Sequence, residues 1–147
     1  REGWQDHRLG FSYFALGRLM QSFDAEKSHT YFQYANRAYR QSPNTAPHQA
    51  FVATQLAAFA VSEGRGQEAL NLTTPHLSVA AKHENAVLLS TLMLLRAEAF
   101  DLTERSAEAS QVRLDSLGWA RYGFGPDWAV RAKLREIAAL NPLNGRF

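Results

Sequence analysis

Residues 57–70, AAFAVSEGRGQEAL, and residues 97–110, AEAFDLTERSAEAS, decide the fold of this chain. Each run ends an apolar helical pattern in small residues, passes through a polar turn, and places another small residue twelve positions on: Ala57 with Ala69, and Ala97 with Ala109. Small side chains at such positions let the two helices of a hairpin approach closely while larger neighbours interlock around them. Gly64 can adopt the left-handed conformation that ends a helix, and Glu104 occupies the same place in the second run. One helical hairpin every 34 to 40 residues, roughly, is the period of repeat architectures.

Working outward, helical periodicity covers the rest of the chain, with no alternating β-branched run that argues for a strand. The first helix is expected over Leu9–Phe23, with Tyr13, Leu16, Gly17, Met20 and Phe23 on its buried stripe. Asp24 should cap a second, Ala25–Gln41, which buries Tyr31, Ala35, Ala38 and Tyr39 and ends before Pro43. Thr45 and Pro47 mark the start of a third, Ala46–Ser62, which buries Val52, Leu56, Phe59 and Ala60. A fourth, Gln67–Lys82, should bend at Thr73 or Thr74 because Pro75 lacks an N–H, and either threonine could cap the restarted turn. The fifth, Asn85–Leu102, is the most apolar and so the most buried. Residues 103–106 connect it to a sixth helix reaching Tyr122, and Pro126 with Asp127 opens a seventh, Asp127–Leu140, directing Val130, Leu134, Ile137 and Ala138 to the core. Residues 1–8 and 141–147 are expected to be loose. The class is all-α, and the short connections make neighbouring helices antiparallel.

Composition narrows the function classes. The 147 residues suit a single domain, and 46% apolar with 20% charged residues is a globular balance. Sixteen basic residues face fourteen acidic ones, and the arginines are scattered among carboxylates, so nucleic-acid binding is not expected. Cysteine is absent, which excludes disulfides and thiolate chemistry. The longest apolar stretch, 86–95, is too short to span a bilayer. The opening residues, Arg1 to Trp4, show neither an initiator methionine nor a signal peptide, and read as the start of an excised piece.

In the two quoted runs, Ala57, Gly64 and Ala69, and again Ala97 and Ala109, resemble the tetratricopeptide repeat family. That family carries a small residue late in the first helix, a glycine at the turn and an alanine early in the second. Leu16, Gly17, Ala35, Ala38 and Pro43 look like a first repeat with a longer turn, and the final helix looks like a cap. Leu117, Gly118, Gly125 and Pro142 match the same spacing in a frame that overlaps the preceding hairpin, leaving two registers there. The resemblance implies a right-handed α-solenoid of about three hairpins plus a capping helix over residues 1–147. It also implies a concave groove lined by the first helix of each hairpin: Phe14, Arg18 and Gln21, then Thr54 and Ala58, then Leu94, Glu98 and Asp101. Such a groove would hold a peptide or helix of a partner protein.

No catalytic constellation stands out. His7, His29, His48, His76 and His83 lack the spacing of a helical zinc motif, and no cofactor or metal is expected. Glu98 and Asp101, and Glu104 and Glu108, lie near arginines and read as ion pairs. Gly118, Gly123 and Gly125 do not follow a strand, so they read as a turn. Nine of the 17 aromatic residues fall within the first 39, more than one hairpin stripe can bury, and Phe14 and Tyr34 stand off those stripes, either as interface anchors or packed against residues 1–8 or a region beyond this sequence. The expected function is a protein–protein interaction module without enzymatic activity, its partner another protein or a second copy of the chain. A segment of a larger assembly is the alternative. A ligand-binding or enzymatic helical domain, or a nucleic-acid surface built on Arg113, Arg121, Arg131 and Arg135, ranks lower.

Overall fold

A computed structural model describes residues 2–124, with side chains for residues 7–119. Among the described residues the fold is all-helical. Helix α1 spans Glu2–Met20, α2 Ala25–Arg40, α3 Ala46–Ser62, α4 Gly66–Thr73, α5 Leu77–Lys82, α6 Ala86–Leu102 and α7 Ser106–Phe124. A 3-10 turn, Thr74–His76, joins α4 to α5 at Pro75, so the expected fourth helix is a bent rod broken where its proline demands. The expected seventh helix and the tail lie outside the described residues. Residues 2–8, expected to be loose, belong to α1.

Three connections are copies of one another. Gly64, Glu84 and Glu104 all take positive φ, at 76°, 52° and 60°. The residue after each donates its amide back across the turn: Arg65 to the Ala60 carbonyl, Asn85 to Ala80 and Arg105 to Phe100, at 2.8, 3.0 and 2.8 Å. This is the Schellman closure, which satisfies carbonyls at a helix end and reverses the chain within a few residues. Two of the three positions hold glutamate, so the turn forms without the glycine that favours it. The earlier starts differ: the Asp24 carboxylate caps α2 by accepting from the Lys27 amide at 3.0 Å. Thr45 does not cap α3. Its hydroxyl instead donates to the carbonyls of Tyr39 and Ser42, closing the end of α2.

Helices pair in sequence, α1 with α2, α3 with α4 and α5, α6 with α7, while α2 also packs on α3, and α4 and α3 on α6. The main core gathers Ala57, Ala60, Val61, Ala69, Leu70, Leu94, Leu95, Ala99, Phe100 and Ala109 from α3, α4, α6 and α7. All four alanines singled out in the sequence, Ala57, Ala69, Ala97 and Ala109, are fully buried. Gly66 sits where α4 meets α6: a Cβ there would lie 2.7 Å from the Ala99 carbonyl oxygen, so only glycine permits that approach. Arg96 of α6 braces the bend by donating to the Leu70 carbonyl at 3.2 Å and to the hydroxyls of Thr73 and Thr74 at 3.1 and 2.6 Å. Those hydroxyls in turn bond back to the carbonyls of Ala69 and Leu70, so neither threonine acts as the expected cap.

The first hairpin is built differently. Gly10 and Gly17 bring α1 against the rings of Tyr39 and Phe32, within 2.8 and 2.6 Å of an added Cβ. The buried Ser28 hydroxyl of α2 donates to the Gly17 carbonyl at 2.7 Å. Of the stripe expected on α1, only Gly17 is fully buried; Leu16 is exposed, and Phe23 is 76% exposed.

Candidate functional site

Helices α2 and α4 both pack on α3, and the space between them opens as a groove of about 500 Å3. One wall is α2, whose Gln33, Asn36, Arg37 and Arg40 recur at three-and-four spacing and so form one stripe. Glu68 and Leu72 of α4 form the other wall and Leu56 of α3 the floor. An adjoining recess of about 260 Å3 shares Asn36, Arg40, Leu56 and Leu72 and extends to Gln49, Asn71 and His76. The amide groups of Gln33 and Asn36 make no side-chain hydrogen bond among the described residues, and both are available to a ligand.

Charge in the groove is uneven. Among the described residues neither Arg37 nor Arg40 has a carboxylate within ion-pair distance. Arg37 lies 5.7 Å from the centre of the Tyr34 ring. Glu68 is the one carboxylate in the lining, and Arg65 holds it at 3.2 Å. His29 and His76 stand at opposite ends of the lining. Burial, and then Arg65, pushes the His29 imidazole below its ordinary value, while burial, and then Arg40, does the same to His76. Both are therefore neutral near pH 7, and the positive field of the groove comes from its arginines.

The eight residues expected to line a concave groove do not form one surface. Leu94, Glu98 and Asp101 are buried beneath α7, and Thr54 is buried with its hydroxyl on the Phe51 carbonyl at 2.6 Å. Phe14 is half-buried, its ring 5.5 Å from that of Phe32. Arg18 is exposed. Only Gln21 and Ala58 come together, in a small recess where the Gln21 amide donates to Gln55 at 2.7 Å and ties the turn after α1 to α3. Glu98 and Asp101 are instead partners of Arg113, which reaches from α7 to Glu98 and, at 2.6 Å, to Asp101. With side chains almost wholly buried, these carboxylates fasten α7 to α6. Sequence reasoning anticipated ion pairing there but also placed both residues in the groove, and burial excludes the second role.

The α2 stripe was missed for a physical reason. Arginines in the last turn of a helix favour its negative end, so Arg37 and Arg40 look explained by the dipole alone. A usable signal was the absence of any acid in α2 beyond Glu26, which leaves both arginines without an intrahelical partner.

A second kind of surface lies at the edges. Leu9, Phe11, Leu16 and Leu19 are exposed on α1, and Leu114, Leu117 and Trp119 on α7. Comparisons of the chain with protein-family models, curated proteins and solved structures return no match.

Proposed function

We propose that this chain is a protein–protein interaction module, a tetratricopeptide-like right-handed solenoid that holds an extended peptide of a partner protein. The observation that carries this is the open groove over α3, lined by amide groups without a side-chain hydrogen bond and guanidinium groups without a carboxylate partner among the described residues. Such side chains can pair with the peptide groups of a bound strand, which has a donor and an acceptor at each residue. The repeat reading is supported by the three identical turns, twenty residues apart at Gly64, Glu84 and Glu104, and by the fully buried alanine pairs. The groove argues for a binding surface on the second helices of successive hairpins, α2 and α4, instead of the first helices that the repeat resemblance implies. A photo-crosslinking amino acid at Gln33 tests this, with the exposed turn residue Glu84 as control. A protein captured at position 33 and absent at position 84 supports the module, and equal capture at both removes the site.

A second reading is favoured by the exposed apolar residues of α1 and α7: the chain is a helical segment of a larger assembly, with those faces covered by neighbouring parts. Sedimentation of the isolated chain against its Leu16→Glu, Leu19→Glu variant tests that reading. A shift from oligomer to monomer supports it.

A further inference from the structure

We infer that the ligand of the α2–α4 groove is an acidic peptide bound extended, with carboxylate side chains two residues apart that meet Arg37 and Arg40. The inference rests on the reading of the groove as a peptide site and adds the chemistry of the peptide. Arg37 and Arg40 lie one helical turn apart on the same wall, so their backbones are separated by about 4.5 Å along the axis. In an extended strand, residues i and i+2 point to the same side about 6.5 Å apart, a separation that two flexible guanidinium groups can span. Both cations lack a carboxylate partner among the described residues, while the only acid of the lining is already held by Arg65. A carboxylate from outside would therefore gain a charge-assisted, bidentate partner without breaking an existing pair.

The dimensions suit a short segment. From His29 to Gln41 the α2 wall runs about 18 Å, the length of five or six extended residues. Gln33 and Asn36, on the same stripe, are placed for the strand's peptide groups, which gives affinity independent of sequence, while the arginines select charge. A single-stranded nucleic acid also carries repeated negative charge, but it needs aromatic platforms for its bases, and the lining of the groove holds no Phe, Tyr or Trp. The chain's own residues 125–147 are an unsuitable occupant, since Arg131, Lys133, Arg135 and Arg146 outnumber Asp127 and Glu136.

The test is selection from a random dodecamer peptide library displayed on phage, using the whole chain, an Arg37→Gln, Arg40→Gln variant and a Gln33→Ala, Asn36→Ala variant, all of equal helicity by circular dichroism. The expected result is enrichment of peptides with acidic residues at i and i+2. Synthetic versions should bind the arginine variant about tenfold or more weakly, corresponding to at least one lost charge-assisted contact. They should also weaken with added salt. Peptides without acidic bias, weakened by the amide variant and not by the arginine variant, would overturn the charge assignment and leave the peptide groove standing. Peptides that bind both variants like the parent, or no enrichment at all, would overturn both. Competition by oligouridylate in place of any peptide would assign the groove to nucleic acid and overturn the inference.

Discussion

The hairpin of α1 and α2 and the stack of α3 to α7 place their apolar residues in opposite ways. In the stack, α6 buries Leu88, Leu89, Leu92, Leu94 and Leu95 together, because neighbours cover it on several sides and identical turns return each helix onto the last. In α1, Leu9, Phe11, Leu16 and Leu19 face outward, and the contact with α2 is made by glycines against rings. Apolar content alone does not decide burial. The side on which the next helix arrives decides it, and α1 has α2 as its main neighbour.

That contrast can be broken at the charge cluster first. Arg113→Met should destabilise the chain by about 3 kcal/mol or more, because it leaves two buried carboxylates without their shared cation. Urea unfolding measures this, and restoration of much of the loss by adding Glu98→Gln would identify the charge as the cause. Next, Leu94→Ala should cost about 3 kcal/mol through the cavity it opens, whereas Leu19→Ala should cost under about 0.5 kcal/mol in the isolated chain. Equal losses at the two sites would mean that α1 is covered in solution. Gly66→Ala should cost about 1–3 kcal/mol, since the new methyl meets the Ala99 carbonyl, which is backbone and cannot rotate away.

Smaller effects sharpen the comparison of the turns. Glu104→Gly should raise stability by up to about 1 kcal/mol by relieving its left-handed backbone, and Gly64→Ala should lower it by a similar amount. Opposite shifts in the urea midpoint would establish that the two turns are equivalent.

The last effect is of pH. Burial holds the imidazoles of His29, His48 and His76 below the ordinary value of 6.5, with further lowering at His48 from His7. The unfolded chain takes up these protons first as pH falls, so stability is unchanged above 6.5 and declines from there toward the lower folded values. His29 lies in α2 and His48 in α3, and α6 and α7 contain no histidine. Hydrogen exchange on acidification should therefore accelerate in α2 and α3 before it does in α6.

Much of the helix layout was legible because local chemistry writes it directly. Asp24 caps α2, Gly64 closes α3 and Pro75 breaks the rod between α4 and α5. The stripe of α1 was not legible: its apolar residues occupy nearly the whole circumference, so no periodicity distinguishes the side that α2 covers. Glu98 and Asp101 illustrate the same limit, since a carboxylate pair on a helix reads alike whether it faces water or is buried against an arginine fifteen or twelve residues away.

Caps, breakers and side-chain size act within a few residues along the chain, so the helical class, the turns at Asp24, Gly64 and Pro75 and the small residues at which helices approach are written in the sequence. Only the tertiary structure decided which arginines are paired and which stand open. Arg113 and Arg40 are the same side chain on similar polar helices, and whether a carboxylate waits across the gap depends on how α6 and α7 meet and on the space left between α2 and α4.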